Sequence, residues 1–465
     1  MLNLQKLALL IDFGSTYTKL TLVNPIEAVI VATLKLPTSS QEGLYLCYKK
    51  GKEKLLNKIG EKNQLPVEEY FCSSAWGGFK MVAIGLTESL TTEAAKRAAL
   101  GAGSRILKTY CYRLTLDQIT EIYQLKPDVI LLTGGCNGGN LEIICYNACL
   151  LAQLPSDIAI IVAGNEAATA QLSATFKNRA NVFYTENVMP QINMLNPDPV
   201  RKIVQKVFLK KIIHSKGLNQ VAPYSNKPVI PTPTAVLTAA KLLKEGTKTC
   251  SGLGDLIIVD IGGATTDVHS VGSGLFQSDD VFFEGLAEPY LKRTVEGDLG
   301  MRSSAESLLE QLLSSSEIKE DLLPENISAL RSACHYRCTH PTFVPKTKIE
   351  IDFDQFLAEA SMTFALKRHA GVKRAVQTPT RTLYYQKGKN LQHFNTIIAT
   401  GGVVVHSQHP EEIVKNELLP VDDALLPINP KRYVDQDYLL SAMGLLSQKY
   451  PEAALTILKK SLRRL

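Results

Sequence analysis

The chain has no stretch of the roughly 18 uncharged apolar residues that a membrane span requires, and it has little charge of one sign, a net +6 over 465 residues. The first absence argues against a membrane-spanning helix. The second argues against a nucleic-acid partner. The basic clusters KNRANV, LKKIIH and KKSLRRL are short and not interleaved with aromatics, so they read as solvated faces. Tryptophan is nearly absent: Trp76, in SSAWGGF, stands alone. The nine cysteines are odd in number and form no Cys-x-x-Cys, which excludes a fully paired disulfide framework and points to reduced cytosolic thiols. CHYRCTH gathers Cys334, His335, Cys338 and His340, but no second pair repeats the spacing of a zinc knuckle, so incidental thiols are the reading. Cys145 and Cys149 lie four apart in LEIICYNACLLAQL and are expected on one buried helix face. The opening MLNLQKLALLIDFG lacks a small-residue cleavage site, and Asp12 interrupts its apolar run, so a cytoplasmic protein is expected.

What is present is an echo. IDFGSTYTK at 11–19 and VDIGGATTD at 259–267 each follow an apolar run, and Asp12, Gly14 and Thr18 align with Asp260, Gly262 and Thr266. Each copy reads as strand, tight turn, strand. Glycine and small hydroxyl residues at such a turn let backbone N–H groups face a concavity that suits a phosphate. An aspartate ending the first strand sets a carboxylate beside it, where Mg²⁺ binds while keeping most of its waters. Two such hairpins facing each other would grip a nucleotide's phosphates from both sides. A third element is IIATGGVV, where Gly401 and Gly402 would let a flat base or ribose approach the backbone, although LLTGG at 131–135 has the same form.

With 465 residues, 45% of them apolar, the chain suits two domains with insertions. Strands are expected at 7–13, 17–23 and 28–36. Residues 37–70 are polar and weakly periodic, and 71–86 reads as a Ser/Gly loop leading to a strand. A helix is expected at 91–103, with Thr92 as its cap and Ala95 and Ala99 on one face. The apolar runs at 127–139 and 158–165, alternating with helices, indicate a buried sheet in an α/β protein. Helices are expected in VRKIVQKVFLKKIIH, at 231–243, over most of 300–375 and at 438–448, with strands in TLYYQ and NTIIATGGVVVH, up to 406, between the last two.

The order of phosphate hairpin, helix, second phosphate hairpin, Gly-Gly loop and final helix resembles the superfamily of actin, sugar kinases and heat-shock chaperone ATPases. SSAWGGFKMVAIGLT, RAALGAG, TENVMP, PTPTAVL, DIGGATTDVHS and KRTVEGDLGMR resemble one branch of it over nearly the whole chain, the MutL/GlmL family associated with adenosylcobalamin-dependent glutamate mutase. This is not the mismatch-repair protein that shares the name. The resemblance implies an α/β, actin-like fold with two lobes, each a mixed sheet flanked by helices, inserted subdomains, and a cleft for ATP and Mg²⁺ between them. Its expected parts are 1–36, the start of lobe I; 37–125, an inserted subdomain; 126–250, the rest of lobe I with an insertion and a connecting helix; 251–299, lobe II with the second hairpin; 300–375, a helical subdomain; and 376–465, the end of lobe II.

By the family pattern, Asp12 and Asp260 hold the metal, largely through water. Gly14, Ser15, Thr16 and Thr18 line the first phosphate loop, and Gly262, Gly263, Ala264, Thr265 and Thr266 the second. Lys19 falls where the actin branch has a phosphate-contacting lysine, and Gly401 and Gly402 lie against the adenosine. Lys367 and Arg368 sit on a helix corresponding to one that flanks adenine in the chaperones. Glu296 and Asp298 either lie near the cleft or cap the helix that follows. The chain departs from the chaperones just before the helix that precedes the second hairpin. They have a glutamate there, whereas VIPTPTAVL has no acid and Glu166 comes too early, so the water-activating residue is unassigned.

The implied function is an ATP-driven reactivating chaperone, a weak Mg-dependent ATPase that opens a stalled aminomutase so that damaged cobalamin leaves. The segment 37–125 with Trp76 is one candidate contact surface. The stretch DVHSVG at 267–272 matches Asp-x-His-x-x-Gly but continues the second hairpin, and direct cobalamin binding is not expected. Three other readings stand beside it. A small-molecule kinase needs an acidic base near the γ-phosphate. An iron–sulfur activator of a dehydratase carries a loop cysteine that VEGDLGMR lacks. An actin-type filament protein is not favoured by the dissimilar insertions.

Overall fold

The computed structural model describes residues 7–14, 17–38, 43–59, 67–74, 79–215, 218–275, 281–315, 326–379, 381–415 and 424–465. Ser15, Thr16 and Trp76 lie outside them. The chain forms two compact units. One comprises Met1–Ala239, Gly285–Ala287 and Ser441–Ile457, the other Ala240–Glu284, Glu288–Leu440 and Leu458–Leu465. Among the described residues no helix is long and apolar enough to cross a membrane.

In the first unit, β1 (Leu7–Phe13) is buried at all seven positions, as a strand covered on both faces must be. It pairs antiparallel with β2 (Tyr17–Asn24), and β2 pairs with β3 (Val29–Pro37). Helix α1 (Gly43–Lys58) turns Leu44, Tyr48 and Leu55 inward. Strand β4 (Val67–Ser73) then lies parallel to β1, with Cys72 beside Asp12.

A run of strand-helix units follows: β5 (Phe79–Gly85), α2 (Glu93–Gly101), β6 (Ser104–Cys111), α3 (Leu116–Leu125), β7 (Val129–Leu132), α4 (Glu142–Leu151), β8 (Ala159–Val162), α5 (Thr169–Thr175) and β9 (Val182–Tyr184). These five strands make a separate, wholly parallel sheet in the order β6-β5-β7-β8-β9. After α6 (Pro197–Ser215) and α7 (Leu218–Val221), β10 (Ile230–Pro231) returns to β4, completing the order β3-β2-β1-β4-β10, and α8 (Thr232–Glu245) begins.

Residues 37–125, expected as an inserted subdomain, contribute to two sheets: β4 belongs to the first mixed sheet, with α1 before it, while β5 and β6 belong to the parallel one, with α2 and α3. The parallel sheet is formed by the chain between β4 and β10. Strand β4 escaped a strand reading because Glu68 and Glu69 open it; Glu69 is buried and bonded to Tyr48 and Lys52 of α1. Thr92 does not cap α2. It ends a π-helical turn at Glu88–Thr92, and its hydroxyl donates to the Tyr110 carbonyl. Cys145 is buried but Cys149 is exposed, so α4 places only one of them inward.

In the second unit, β11 (Leu256–Ile261) and β12 (Thr266–Val271) form the second hairpin. β13 (Val281–Glu284) and β14 (Leu291–Glu296) follow, then the helices α9 (Ala305–Ser314), α10 (Ile327–Thr339) and α11 (Lys348–His369). β15 (Val372–Gln377) and β16 (Thr382–Lys387) join β13 in a three-stranded sheet. β17 (Thr396–Thr400), α12 (Gly402–His406), α13 (Pro410–Lys415), β18 (Lys431–Asp435), α14 (Leu440–Leu446), α15 (Pro451–Ser461) and β19 (Leu462–Arg464) complete the chain. The main sheet runs β14-β12-β11-β17-β18-β19. The basic end LRR, expected as a solvated face, is an edge strand on β18.

Both mixed sheets thus follow one plan: a lead strand, an antiparallel hairpin partner on one side and two parallel strands on the other, with antiparallel β19 added at the edge of the second. That is the α/β, actin-like arrangement expected, with a five-stranded parallel sheet added to the first unit.

Candidate nucleotide site

The two echoes fold alike. Asp12 stands opposite Lys19 and Phe13 opposite Thr18, just as Asp260 stands opposite Asp267 and Ile261 opposite Thr266. The turns close with the same bond. The Gly14 N–H donates to the Tyr17 carbonyl at 3.1 Å, and the Gly262 N–H to that of Thr265 at 2.9 Å. A Cβ at Gly14 would come within 2.5 Å of the Tyr17 oxygen, and at Gly262 within 2.8 Å of the Thr265 oxygen, so neither turn closes around a side chain.

Alternation along a strand sends the aligned threonines to the face away from the aspartates. Thr18 is fully buried, its hydroxyl bonded to that of Thr38 at 3.0 Å, and Thr266 is fully buried, its hydroxyl donating to the Leu299 carbonyl at 2.7 Å. Both hydroxyls hold the hairpin from behind.

The loop at 262–265 has the geometry of an anion cradle. The carbonyl of Gly262 accepts from Met301 N–H, that of Gly263 from Arg302 and Ser303 N–H, and that of Ala264 from the Ser304 hydroxyl. In a trans peptide the C=O and the following N–H point opposite ways. The N–H groups of Gly263, Ala264 and Thr265 therefore face away from this brace, with Gly263 and Ala264 exposed. Successive N–H groups presented together bind phosphate oxygens.

The brace is anchored in turn. Arg368 pairs with Glu296 at 3.0 Å and with Asp298 at 2.7 Å. Burial pushes the Asp298 carboxyl up, but the hydrogen bonds and charge of Arg368 outweigh it and hold it below its ordinary value. Glu296 and Asp298 do not cap α9, whose N-cap is Ser304; both bind Arg368 of α11.

Around Asp12, which is 7% exposed, the Thr232 hydroxyl donates to Oδ1 at 2.7 Å and the Ser441 hydroxyl to Oδ2 at 2.9 Å. Cys72 is buried beside it. Burial first, then the Asp12 charge, raises its thiol well above the ordinary value, so it stays protonated. Lys19 is half-buried on the same face as Asp12. Asp260 faces Asp267 instead, whose carboxylate is bound by Arg293 at 2.7 Å.

Gly401 ends β17 with φ +106°, and a Cβ there would lie 2.2 Å from the Ile261 carbonyl, directly after Asp260. A Cβ on Gly402 would stand 3.7 Å from the Tyr438 hydroxyl. Tyr438 has φ +54°, unusual for a bulky residue. Burial, then the charges of Asp260 and Asp435, raise its phenol above the ordinary value, so it remains a hydrogen-bond donor. Sequence reasoning missed Thr232, Ser441, Asp267, Arg293 and Tyr438. Asp267 carried a signal as the last residue of the echo, Thr232 lies in PTPTAVL and Arg293 in KRTVEGDLGMR.

CHYRCTH lies at the end of α10. Burial lifts the Cys334 thiol to about 12, and Cys338 donates to the Arg302 carbonyl. Among the described residues no group of three or more His, Cys, Asp or Glu side chains is placed to hold a metal ion.

A family model described as MutL protein matches residues 8–462. Protein MutL of Clostridium tetanomorphum is 46% identical over 458 residues, covering 98% of each chain. Among solved structures, nucleotide-free acetone carboxylase has a TM-score of 0.42 at 12% identity, covering 95% of this chain and 70% of that one. The nucleotide-free diol dehydratase-reactivating factor has a TM-score of 0.34 at 10% identity, covering 96% and 100%. Neither likeness is close enough to place a residue.

Proposed function

The chain belongs to the MutL protein family, and from that premise we propose that it is an ATP-dependent reactivating chaperone for an adenosylcobalamin-dependent aminomutase of the glutamate mutase type. The observation that carries the nucleotide part is the cradle at 262–265, whose carbonyls are turned back onto 301–304 while its N–H groups face outward. The donor set fits ATP with Mg²⁺: outward N–H groups for phosphate oxygens, and hard carboxylate oxygens of Asp12 and Asp260 for the cation's water shell. When bound, the cation neutralises phosphate charge. Lys19 adds a positive charge on the Asp12 face. Gly401 and Gly402 bring no side chain that would obstruct a flat adenosine.

The segment VIPTPTAVL that opens α8 contributes no acid of its own. Phosphoryl transfer depends on positioning and charge neutralisation, and without a strong base hydrolysis is slow, as suits a conformational switch. Nucleotide binding then shifts the affinity for the partner enzyme through contacts that differ between two states of the chaperone.

The test is reactivation. The protein is incubated with a cobalamin-inactivated aminomutase, free adenosylcobalamin and Mg·ATP. Recovery of mutase activity is expected, and its loss in Asp12→Ala and in Asp260→Ala. Recovery untouched by both substitutions removes the proposed mechanism.

A further inference from the structure

We infer that Thr232 and Ser441 are positioning residues that fix the Asp12 carboxylate so that a divalent cation meets it through the cation's own water shell; this rests on the nucleotide reading above. Both carboxylate oxygens already accept a hydroxyl hydrogen bond, at 2.7 and 2.9 Å. The two donors come from the first turns of different helices, α8 and α14, so they hold the carboxylate plane from two directions. Cys72, next to Asp12 in the parallel register, closes a third side, and the carboxylate is almost wholly buried. Direct coordination would require a partly dehydrated cation to reach a carboxylate that is almost wholly buried and already holds a hydroxyl on each oxygen. Magnesium sheds water reluctantly, whereas a metal-bound water needs only one of the lone pairs left over. Thr232 and Ser441 lie 220 and 429 positions from Asp12, so nothing in the sequence pairs them with it.

ADP uptake is measured by calorimetry with and without Mg²⁺ for the wild type, Thr232→Val, Thr232→Ser and Ser441→Ala. A further wild-type arm replaces Mg²⁺ with hexaamminecobalt(III), whose ligands do not exchange. The enhancement of ADP affinity by Mg²⁺ is expected to fall about tenfold in Thr232→Val and in Ser441→Ala, the equivalent of one charge-assisted hydrogen bond each. Thr232→Ser restores it, and the cobalt complex supports uptake. An undiminished enhancement in both variants, or a cobalt complex that fails where Mg²⁺ works, overturns the inference and leaves the nucleotide reading standing. A wild type that takes up no ADP with Mg²⁺ overturns the nucleotide reading and the inference together. Should Thr232→Val not fold, Ser441→Ala and the cobalt arm decide.

Discussion

Lys389 has no exposed surface, and its ammonium donates to the carbonyls of Pro289 and Tyr290, each at 3.0 Å. Burial pulls its pKa from 10.5 to about 7; the charge of Lys292 acts in the same direction, while Glu288 and Asp255 oppose it. In the unfolded chain this amine keeps its proton up to about pH 10.4. Between the two values the unfolded state binds the extra proton, so stability rises with pH across that window, by up to about 5 kcal/mol for such a shift. Urea melts from pH 6.5 to 9.5 are expected to show this rise, and Lys389→Met to flatten it. Its absolute stability also reflects two carbonyls left without their donor, so the slope is the diagnostic. At Gly401 the backbone decides. Alanine there meets both a left-handed φ and the Ile261 carbonyl, and about 2–4 kcal/mol of stability is lost. Gly402→Ala, with ordinary contact to Tyr438, costs under about 1 kcal/mol. Equal losses in urea melts of the two variants would contradict this account.

At the scale of elements, the Arg368 pairs join α11 to the segment that braces the cradle. Removing Arg368 leaves Glu296 and Asp298 without it. Because all three are partly exposed, Arg368→Ala is expected to cost only about 1–2 kcal/mol. The pH dependence is more specific. A carboxyl held below its ordinary value adds stability at pH above that value and loses it as pH falls through the lowered one. In the variant the burial of Asp298 acts unopposed by Arg368, so acid unfolding is expected to begin at higher pH, as read by fluorescence or circular dichroism. The hairpins were legible in the sequence because an apolar run, an aspartate and a turn glycine are adjacent in the chain, and periodicity exposed β7, β8 and α8. What stayed hidden is held by distant partners. The two glutamates of β4 look like loop residues until Glu69 meets Tyr48 and Lys52, and Glu68 meets Tyr70, Lys449 and Tyr450. The bonds of Thr18 and Thr266 stayed hidden for another reason: a motif aligns residues by number, and the pleat then turns alternate ones to opposite faces.

For the whole molecule, each unit contributes one hairpin, so the number of ligands served by two carboxylates is a measurable quantity. If Asp12 and Asp260 act on the same Mg·ADP, either substitution alone removes most of its affinity and the double variant loses little more, because groups that act as a unit are strongly non-additive. If each hairpin served its own ligand, the losses would add and half the binding stoichiometry would survive in each single variant. Stability gives an independent readout. A ligand at a hundred times its dissociation constant stabilises the state that binds it by about 2.7 kcal/mol. With a shared ligand, the Mg·ADP shift in thermal unfolding disappears in Asp12→Ala and in Asp260→Ala alike, across every transition the wild type displays. A shift that persists for one transition in Asp12→Ala and for another in Asp260→Ala would mean two independent sites. The duplicated hairpin would then be a repeat without a joint function, and a nucleotide-driven change of partner affinity would have to originate within one unit.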